Sequence, residues 1–365
     1  MPTNFSLTVA LFFSLLSLSL SRHMTSTSQI DIEALIAPSP DLVTKIDSSY
    51  LSLLPPGQYL VQFTDPSPLN PYFDYQNAQY YIYLPVNFTR INKYPLGVIG
   101  FLSHTNEWGF WNVYKDIFDE RNLIYISPQN VGNMASDLQR KTAWMTSIAY
   151  IRKSLPVNAE RIYASGLSGG ARIACQLCWE NATYIAGAIS MSGCDYPRKV
   201  TLSANSDPSY GFYDAYPLPN DVLATYAKVV IITGPNDFLH DNLNDIYNNG
   251  ILEDGLTGWL YDIDGMNHEM SDPLTYEQAI KQLDDNPRKC IYPCKDCGLR
   301  RNDCTACFAS LGMSLYVDTE TKTGSCVEFC PEGYYAYNAV CIDECPEGTE
   351  ASNDGYQDIC IENTA

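Results

Sequence analysis

The chain has few positive charges and few histidines. Its 365 residues include 22 lysines and arginines against 42 aspartates and glutamates, for a formal net charge of −20. Nucleic acids and anionic membrane surfaces attract clusters of Lys and Arg, and the sequence contains no basic run. We therefore expect no nucleic-acid partner. We interpret the acidity as serving solubility in an extracellular or acidic compartment rather than recognition of a cationic substrate.

The sequence also lacks a segment long enough to be predicted as a membrane span. The apolar run at residues 7–20 is shorter than the about 20 residues that a span requires. Its N-terminal position and the small serines around Ser21 are typical of a signal peptide, predicted over residues 1–22, although no Lys or Arg precedes the run. The mature protein is expected to be secreted, with the lumen of a lysosome- or vacuole-like compartment as the alternative. Sequons at Asn87 and Asn181 agree with this route.

Cysteine is concentrated at one end of the chain. Ten of the 13 cysteines lie between Cys290 and Cys360. Their C-x2-C pairs are compatible with zinc, but no histidine follows His268, the leader indicates an oxidising route, and ten is even. The pattern predicts a disulfide-rich module over residues 287–365, with no metal and no cofactor.

The remaining three cysteines lie within the preceding domain. The sequence predicts that Cys175 or Cys178 pairs with Cys194, which leaves one thiol free. Repeats of Cys-Pro-Glu-Gly in the module, as at Cys330 and Cys345, resemble furin-like repeats of the growth-factor-receptor type. This resemblance implies a spacer, or a module that binds a protein or a glycan.

Between residues 28 and 286, strand-like runs alternate with helical ones, which is typical of βαβ units. The pattern predicts an α/β domain with a mostly parallel eight-stranded sheet and helices on both faces. Its expected strands are 58–63, 80–84, 95–102, 123–127, a short run at 162–163, 185–191, 228–233 and 259–263. The first two are expected to form a hairpin, and a helix is predicted near residues 41–53.

The sequence Gly166-Leu167-Ser168-Gly169-Gly170 stands between a predicted strand and a predicted helix. A G-x-S-x-G in such a turn is the nucleophile elbow of serine hydrolases, whose glycines permit a very tight bend. The motif alone can occur by chance, so its assignment as a nucleophile depends on whether the chain also supplies a base and an acid. A serine hydroxyl needs a base within hydrogen-bond reach and an acid that orients the base.

Only four histidines are available, and the acid and the base should follow the serine in the order Asp, then His. His268 follows the last predicted strand and is the expected base, with His240 as the weaker alternative. Asp237 follows the preceding strand and is the expected acid. Asp241 and Asp245 remain alternatives.

An oxyanion hole requires two preorganised N–H donors. The first is expected at Gly169, directly after the serine. The second is expected in the loop after the third strand, at His104 or Thr105, where Ser103-His104 replaces the His-Gly that many hydrolases have.

These loops, together with Ser-Pro-Gln-Asn at residues 127–130 and the Arg161-Ile-Tyr-Ala-Ser-Gly lead-in, resemble the α/β-hydrolase superfamily. Within it, the likeness is to secreted polyester depolymerases and feruloyl or acetyl-xylan esterases. The resemblance covers residues 55 to 285 and implies hydrolysis of a small or polymer-linked ester through an acyl-serine intermediate.

Two other functions remain open from the sequence. One is a serine peptidase on the same fold, and the other is an extracellular interaction protein that uses the hydrolase fold as a scaffold and the tail for binding. Residues 200–221 are a candidate lid or substrate-binding insertion. The aromatic residues that would contact an aromatic or sugar-linked substrate are Trp108, Trp111, Tyr210, Tyr213 and Tyr216, with ordinary surface residues as the equal alternative.

Overall fold

The protein is described by a computed structural model that covers residues 43–66, 78–86, 88, 94–107, 109–213 and 218–362. The predicted signal peptide, Asn87, Trp108 and Tyr216 lie outside these residues. No helix within the described ranges has both the length and the apolar character that a membrane crossing requires.

A nine-stranded mixed sheet forms the centre of the larger domain. Its strands lie side by side in the order β1-β2-β3-β5-β4-β6-β7-β8-β9. Only β3 runs antiparallel to its neighbours. The bounds are β1 Val43–Ile46, β2 Gly57–Phe63, β3 Gln79–Leu84, β4 Gly97–Leu102, β5 Leu123–Pro128, β6 Ile162–Leu167, β7 Gly187–Met191, β8 Lys228–Thr233 and β9 Thr257–Asp262. The eight predicted strands are all present, and β1 is the ninth.

The predicted helix at residues 41–53 is wrong. Val43–Ile46 is an edge strand that pairs in parallel with β2, and a 3-10 helix occupies Ser48–Leu53. The two elements are separated at Asp47, which caps the 3-10 helix by accepting a hydrogen bond from Ser49 N–H. The spacing of apolar residues in 41–53 is that of a helix. The pairing of Val43–Ile46 with β2 could not be predicted from this spacing, because it joins segments that are distant in sequence.

The described residues include six α-helices around the sheet: α1 Lys115–Glu120, α2 Asp137–Ser154, α3 Gly169–Glu180, α4 Asn220–Tyr226, α5 His240–Ile246 and α6 Pro273–Asp285. Successive strand residues point to opposite faces, so the neighbours of β4 identify the helix layers. Ile99 and Phe101 pack in one apolar cluster with residues of α1 and α6. Gly100 faces Trp144 of α2, whose indole nitrogen would lie 2.2 Å from a Cβ at position 100. Helices therefore cover both faces, and the α/β-hydrolase fold class predicted from the sequence is confirmed.

The C-terminal module is built from short strands and disulfides. Its two sheets are β10–β11 and a six-stranded sheet in the order β13-β12-β15-β14-β17-β16. The strands are β10 Cys294–Cys297, β11 Cys304–Cys307, β12 Ser314–Val317, β13 Gly324–Val327, β14 Tyr335–Tyr337, β15 Val340–Ile342, β16 Thr349–Asn353 and β17 Asp358–Glu362. A module with so small an apolar core needs covalent links for stability.

The prediction that the cysteines form disulfides is confirmed. The module contains Cys290–Cys297, Cys294–Cys304, Cys307–Cys326, Cys330–Cys341 and Cys345–Cys360. In the larger domain, Cys175 pairs with Cys194, while Cys178 is a free, buried thiol. Burial raises the pKa of the Cys178 thiol to about 11, so it is protonated at neutral pH.

The first part of the module packs firmly against the larger domain. Phe308 is fully buried, and its ring centroid lies 5.6 Å from that of Tyr226 at the end of α4. The Tyr226 hydroxyl donates to the Cys294 carbonyl over 2.5 Å. The buried Arg288 guanidinium donates to the carbonyls of Ala182 and Ile185. Residues 288–308 therefore contribute to the packing of the hydrolase domain as well as to the module.

Replacing Phe308 with alanine is expected to lower the free energy of unfolding by about 3–5 kcal/mol, since it removes a fully buried ring and leaves a cavity. Phe329, in the same module, is 49% exposed. The control variant Phe329→Ala should therefore change stability by no more than about 0.5 kcal/mol. Urea unfolding of both proteins with their disulfides intact measures the difference. Equal losses for the two variants would contradict this account of the docking.

Candidate active site

Ser168 occupies a strained turn between β6 and α3. Its backbone angles are φ 57° and ψ −123°, a conformation that residues with side chains rarely adopt. A Cβ at position 166 would lie 2.4 Å from the Gly170 carbonyl carbon, and a Cβ at 170 would lie 2.0 Å from the Leu102 oxygen. Only glycine fits at these two positions. The same contact places the end of β4 directly against the start of α3.

The structure brings Ser168, His268 and Asp237 together in one hydrogen-bonded chain. His268 Nε2 lies 2.8 Å from Ser168 Oγ, and His268 Nδ1 lies 2.7 Å from Asp237 Oδ1. The three residues come from the loops after β6, β9 and β8, at the carboxyl ends of neighbouring parallel strands. This is the position at which open α/β sheets bind ligands.

Asp237 is held in a fixed orientation for its contact with His268. Its side chain is fully buried, and it accepts hydrogen bonds from Leu239 N–H over 3.0 Å and from the Thr233 hydroxyl over 3.1 Å. Burial acts to raise the pKa of Asp237. Hydrogen bonds from His268, Leu239 and Ser192 together outweigh burial, so the pKa lies below its ordinary value. The carboxylate is therefore ionised throughout the neutral range.

The lowered pKa of Asp237 predicts a pH dependence of stability. A carboxyl whose pKa is lower in the folded state stabilises the fold above its ordinary pKa of 3.8, and this contribution disappears as the pH falls through the folded value. The unfolding free energies of wild type and Asp237→Asn should therefore differ most near neutral pH and converge below pH about 4. Urea titrations at several pH values measure this. A difference that stays constant from pH 7 to pH 3 would contradict the prediction.

The alternatives to His268 and Asp237 make other contacts. His240 lies 3.0 Å from Asp262 Oδ2 and 3.2 Å from Asp241 Oδ1. Asp245 accepts hydrogen bonds from Ser203 N–H and from the Ser206 hydroxyl, at 2.7 and 2.5 Å. By contrast, His268 and Asp237 form the hydrogen-bonded chain that begins at Ser168. His23, the remaining histidine besides His104, lies outside the described residues.

The loop after β4 lies beside the elbow and carries both candidates for the second oxyanion donor, His104 and Thr105. Thr105 N–H donates to Ser103 Oγ over 3.0 Å, so that group has a partner within the loop. The buried Arg140 donates to the Ser103 carbonyl over 2.7 Å and fixes the start of the loop. Burial, followed by the charges of His268 and Arg140, lowers the pKa of His104.

Two residues near Ser168 were not predicted from the sequence. The side-chain oxygen of Asn133 would lie 2.0 Å from a Cβ at Gly169, so it lies against the first expected oxyanion donor. The ring of Phe238 is 67% exposed and lies 4.3 Å from the His268 ring, centroid to centroid. Neither residue carries a catalytic signature in sequence. Phe238 was detectable only as the immediate neighbour of Asp237.

The insertion at residues 200–221 reaches the site through one of its tyrosines. Tyr210 packs edge-on against Phe238 at 6.4 Å, and the Arg172 guanidinium lies 5.3 Å from the Tyr210 ring centroid. Tyr213 instead has a buried hydroxyl and lies beneath Lys141, at 5.3 Å. Through Phe238, the contacts of Tyr210 therefore lead to His268.

Within the described parts of the chain, no group of three or more His, Cys, Asp or Glu side chains is arranged to hold a metal ion. The site is instead a serine, a histidine and a carboxylate beside a helix N-terminus, an arrangement suited to nucleophilic attack on an acyl carbon.

Comparison with family models and with curated proteins finds no match. Comparison with solved structures finds similar chains at low sequence identity. A fluorophosphonate-binding serine hydrolase F of Staphylococcus aureus is 14% identical, with a TM-score of 0.46 over 63% of this chain and 98% of its own. A ferulic acid esterase is 17% identical, with a TM-score of 0.42 over 56% of this chain and 89% of its own. An arylesterase is 13% identical, with a TM-score of 0.42 over 74% of this chain and 96% of its own.

Proposed function

We propose that the protein is a secreted serine hydrolase that cleaves carboxylic esters through an acyl-serine intermediate. The observation that carries this proposal is the unbroken chain of contacts from Ser168 Oγ to His268 and on to the buried Asp237. A structural role alone does not require a serine with positive φ, a histidine and a buried carboxylate in this order. The six disulfides and the predicted leader support the secretory route.

In the first half-reaction, Ser168 Oγ attacks the ester carbonyl while His268 Nε2 accepts the serine proton. Asp237 accepts the Nδ1–H hydrogen bond, which selects the tautomer with a free Nε2 and stabilises the imidazolium that forms. His268 then donates that proton to the departing alkoxide, so the alcohol leaves and Ser168 holds the acyl group. In the second half-reaction, His268 takes a proton from water as the water attacks the acyl-serine, and it then gives that proton to Ser168 Oγ as the acid is released.

Each tetrahedral intermediate carries a negative charge on the former carbonyl oxygen. Gly169 N–H, at the first turn of α3, is the first proposed donor, and its helix N-terminus favours a negative charge. The second proposed donor lies in the loop after β4, at His104 or Thr105, and Thr105 N–H also donates to Ser103 Oγ over 3.0 Å. Arg140 and Asn133 act as positioning residues, since Arg140 holds Ser103 and Asn133 N–H donates to the His104 carbonyl over 2.9 Å.

A second candidate function concerns the cysteine-rich module as a binding element. Phe329 and Tyr356 are 49% and 83% exposed, and their rings stack at 6.3 Å. Exposed aromatic faces of this kind suit contact with a protein or a glycan. In this interpretation, the module would hold the hydrolase domain near its substrate. A peptidase activity has no separate observation in its favour.

The proposed function is tested with a fluorophosphonate probe and nitrophenyl esters on the purified mature protein. Wild type should be labelled and should hydrolyse the esters. Ser168→Ala should do neither, and His268→Ala should show a severe loss of both. Labelling that persists in Ser168→Ala would overturn the assignment of the nucleophile. A folded wild type that is neither labelled nor active would favour the scaffold function.

A further inference from the structure

An aromatic side chain stands at the protein surface directly beside the proposed base. The Phe238 ring lies 4.3 Å from the His268 ring, centroid to centroid, with 35° between the ring planes. The Phe238 side chain is 67% exposed. Single exposed apolar side chains are common in proteins, so it is the contact with His268, and not the exposure by itself, that points to a role in the reaction.

The backbone holds Phe238 in a fixed place. Its two neighbours in the chain, Asp237 and Leu239, are both buried. Leu239 N–H donates to Asp237 Oδ1 over 3.0 Å, and Asp237 N–H donates to the Gly234 carbonyl over 2.9 Å. The turn therefore presents the Phe238 ring in a preorganised position, which reduces the entropy lost when a ligand contacts it.

Tyr210 extends this aromatic surface beyond Phe238. The two rings pack edge-on, with 6.4 Å between their centroids and 70° between their planes. The Arg172 guanidinium lies 5.3 Å from the Tyr210 ring centroid, and its Nε donates over 2.7 Å to the buried Asp195 carboxylate. Arg172 is thereby fixed, and it fixes Tyr210 in turn. Phe238 and Tyr210 together form an aromatic ledge beside His268.

The segment that carries Tyr210 is attached to α5, which begins three residues after Asp237. Buried Asn242 of α5 donates to the Asp207 carbonyl over 2.8 Å, and its side-chain oxygen accepts Asp207 N–H over 3.0 Å. Both rings of the ledge are therefore anchored to the stretch of chain that supplies the proposed acid.

The chemistry of the triad identifies the part of the substrate that lies nearest the ledge. His268 gives its proton to the departing alkoxide, so the alcohol oxygen must come within hydrogen-bond reach of Nε2. The alcohol part of the ester therefore lies on the side of the imidazole, whose ring Phe238 contacts. The acyl group instead stays on Ser168, with its carbonyl oxygen directed at Gly169 N–H.

We propose that the aromatic ledge binds the alcohol part of the substrate, and that the enzyme prefers esters whose alcohol carries a planar aromatic ring. Phe238 is then the residue that sets this preference. The inference rests on the proposed ester hydrolysis. An aromatic ring that stacks on another gains energy beyond that of the apolar area it buries. A saturated ring of similar size buries a similar area and lacks this gain.

Two acetate esters that differ only in the ring of the alcohol test this assignment, phenylethyl acetate and cyclohexylethyl acetate. Both have a primary alcohol as the leaving group, so the ratio of their kcat/KM values isolates the effect of the ring. In wild type, the aromatic ester should be favoured by about 2- to 10-fold, the scale of one aromatic pair. Phe238→Leu should bring the ratio close to unity, while Phe238→Tyr should keep it. Tyr210→Ala should lower it in part.

Two controls accompany this measurement. Methyl phenylacetate and methyl cyclohexylacetate place the same two rings on the acyl side, and their ratio should be equal in wild type and Phe238→Leu. Leu252 is 49% exposed and lies before β9, at the opposite edge of the sheet from Ser168. Leu252→Ala also removes an exposed apolar side chain, and it should keep the wild-type ratio for the alcohol pair.

Fluorophosphonate labelling separates the two levels of the proposal. In a labelled and active protein, a wild-type alcohol ratio of unity, or a ratio that Phe238→Leu leaves unchanged, overturns the ledge assignment alone. A change confined to the acyl pair assigns the ledge to the acyl group and also overturns the proposal. Each ratio compares two substrates of one protein, so a general effect of a variant on His268 cancels. Absence of labelling and of turnover in folded wild type overturns the ester hydrolysis on which the inference rests.

Discussion

Replacing Ser168 with glycine is expected to abolish turnover and, at the same time, to stabilise the protein. The loss of the nucleophile should lower kcat by about 10⁶-fold, the scale seen when a catalytic serine is removed from a triad. The stabilisation follows from the backbone. Ser168 has φ 57° and ψ −123°, and a residue with a Cβ held in such a region costs about 1–3 kcal/mol. Glycine adopts positive φ without this steric cost.

Ser168→Ala separates the two effects, because alanine removes the hydroxyl and keeps the Cβ. We expect both variants to be inactive, but only the glycine variant to gain about 1 kcal/mol in free energy of unfolding relative to wild type, after the larger chain entropy of unfolded glycine is included. Nitrophenyl acetate turnover and urea unfolding, run on the same preparations, measure both quantities. Equal stabilities of the alanine and glycine variants would show that the elbow stores no backbone strain.

The elbow was predictable because its constraint is local. Five consecutive residues specify the turn, and the order Ser168, Asp237, His268 follows from the rule that parallel strands present their carboxyl ends at one edge. The loops that follow the later parallel strands therefore begin at the same edge of the sheet as Ser168. The small number of histidines also helped, because only four residues of the chain could be the base.

Other features depend on contacts that no local pattern encodes. The strand at Val43–Ile46 exists because β2 offers it a free edge, and its short sequence has no strong period of its own. The hydrogen bond from Thr105 N–H depends on where the Ser103 hydroxyl points. The pairing of Cys194 with Cys175 rather than Cys178 depends on the face of α3: Cys178 is directed toward the Lys228 carbonyl of β8. Composition predicts disulfides, but the connectivity is a property of the folded chain.

The amino-terminal edge of the sheet, opposite Ser168, carries a buried ionic cluster centred on Asp284, in the last turn of α6. Its carboxylate accepts two hydrogen bonds from Arg161, at 2.8 and 2.9 Å, and one from the Tyr163 hydroxyl at 2.8 Å. Arg121 lies 3.3 Å from the same carboxylate. The side chains of Asp284, Arg161 and Arg121 are 3%, 7% and 9% exposed. The buried Asp284 carboxylate therefore faces two buried guanidinium groups, which join α6 to the segments before β6 and β5; Arg121 also lies 3.7 Å from Glu277 of the same helix.

Replacing Asp284 with asparagine is expected to lower the free energy of unfolding by about 3–5 kcal/mol, because it leaves the charge of Arg161 buried without this counter-charge and leaves Arg121 with the partly exposed Glu277 at 3.7 Å. That is a large share of the about 5–15 kcal/mol that holds a typical domain folded. The neighbouring Asp285 is exposed, so Asp285→Asn is the matched control and should change stability by no more than about 0.5 kcal/mol. Under conditions where the variant stays folded, its kcat should equal that of wild type, since the cluster lies at the opposite edge of the sheet from His268. Ser168→Gly and Asp284→Asn thus move stability in opposite directions, and only the first affects the chemistry. A loss of kcat in folded Asp284→Asn would show that the two edges are coupled through α6, whose Tyr276 hydroxyl lies 3.1 Å from Ser165 Oγ.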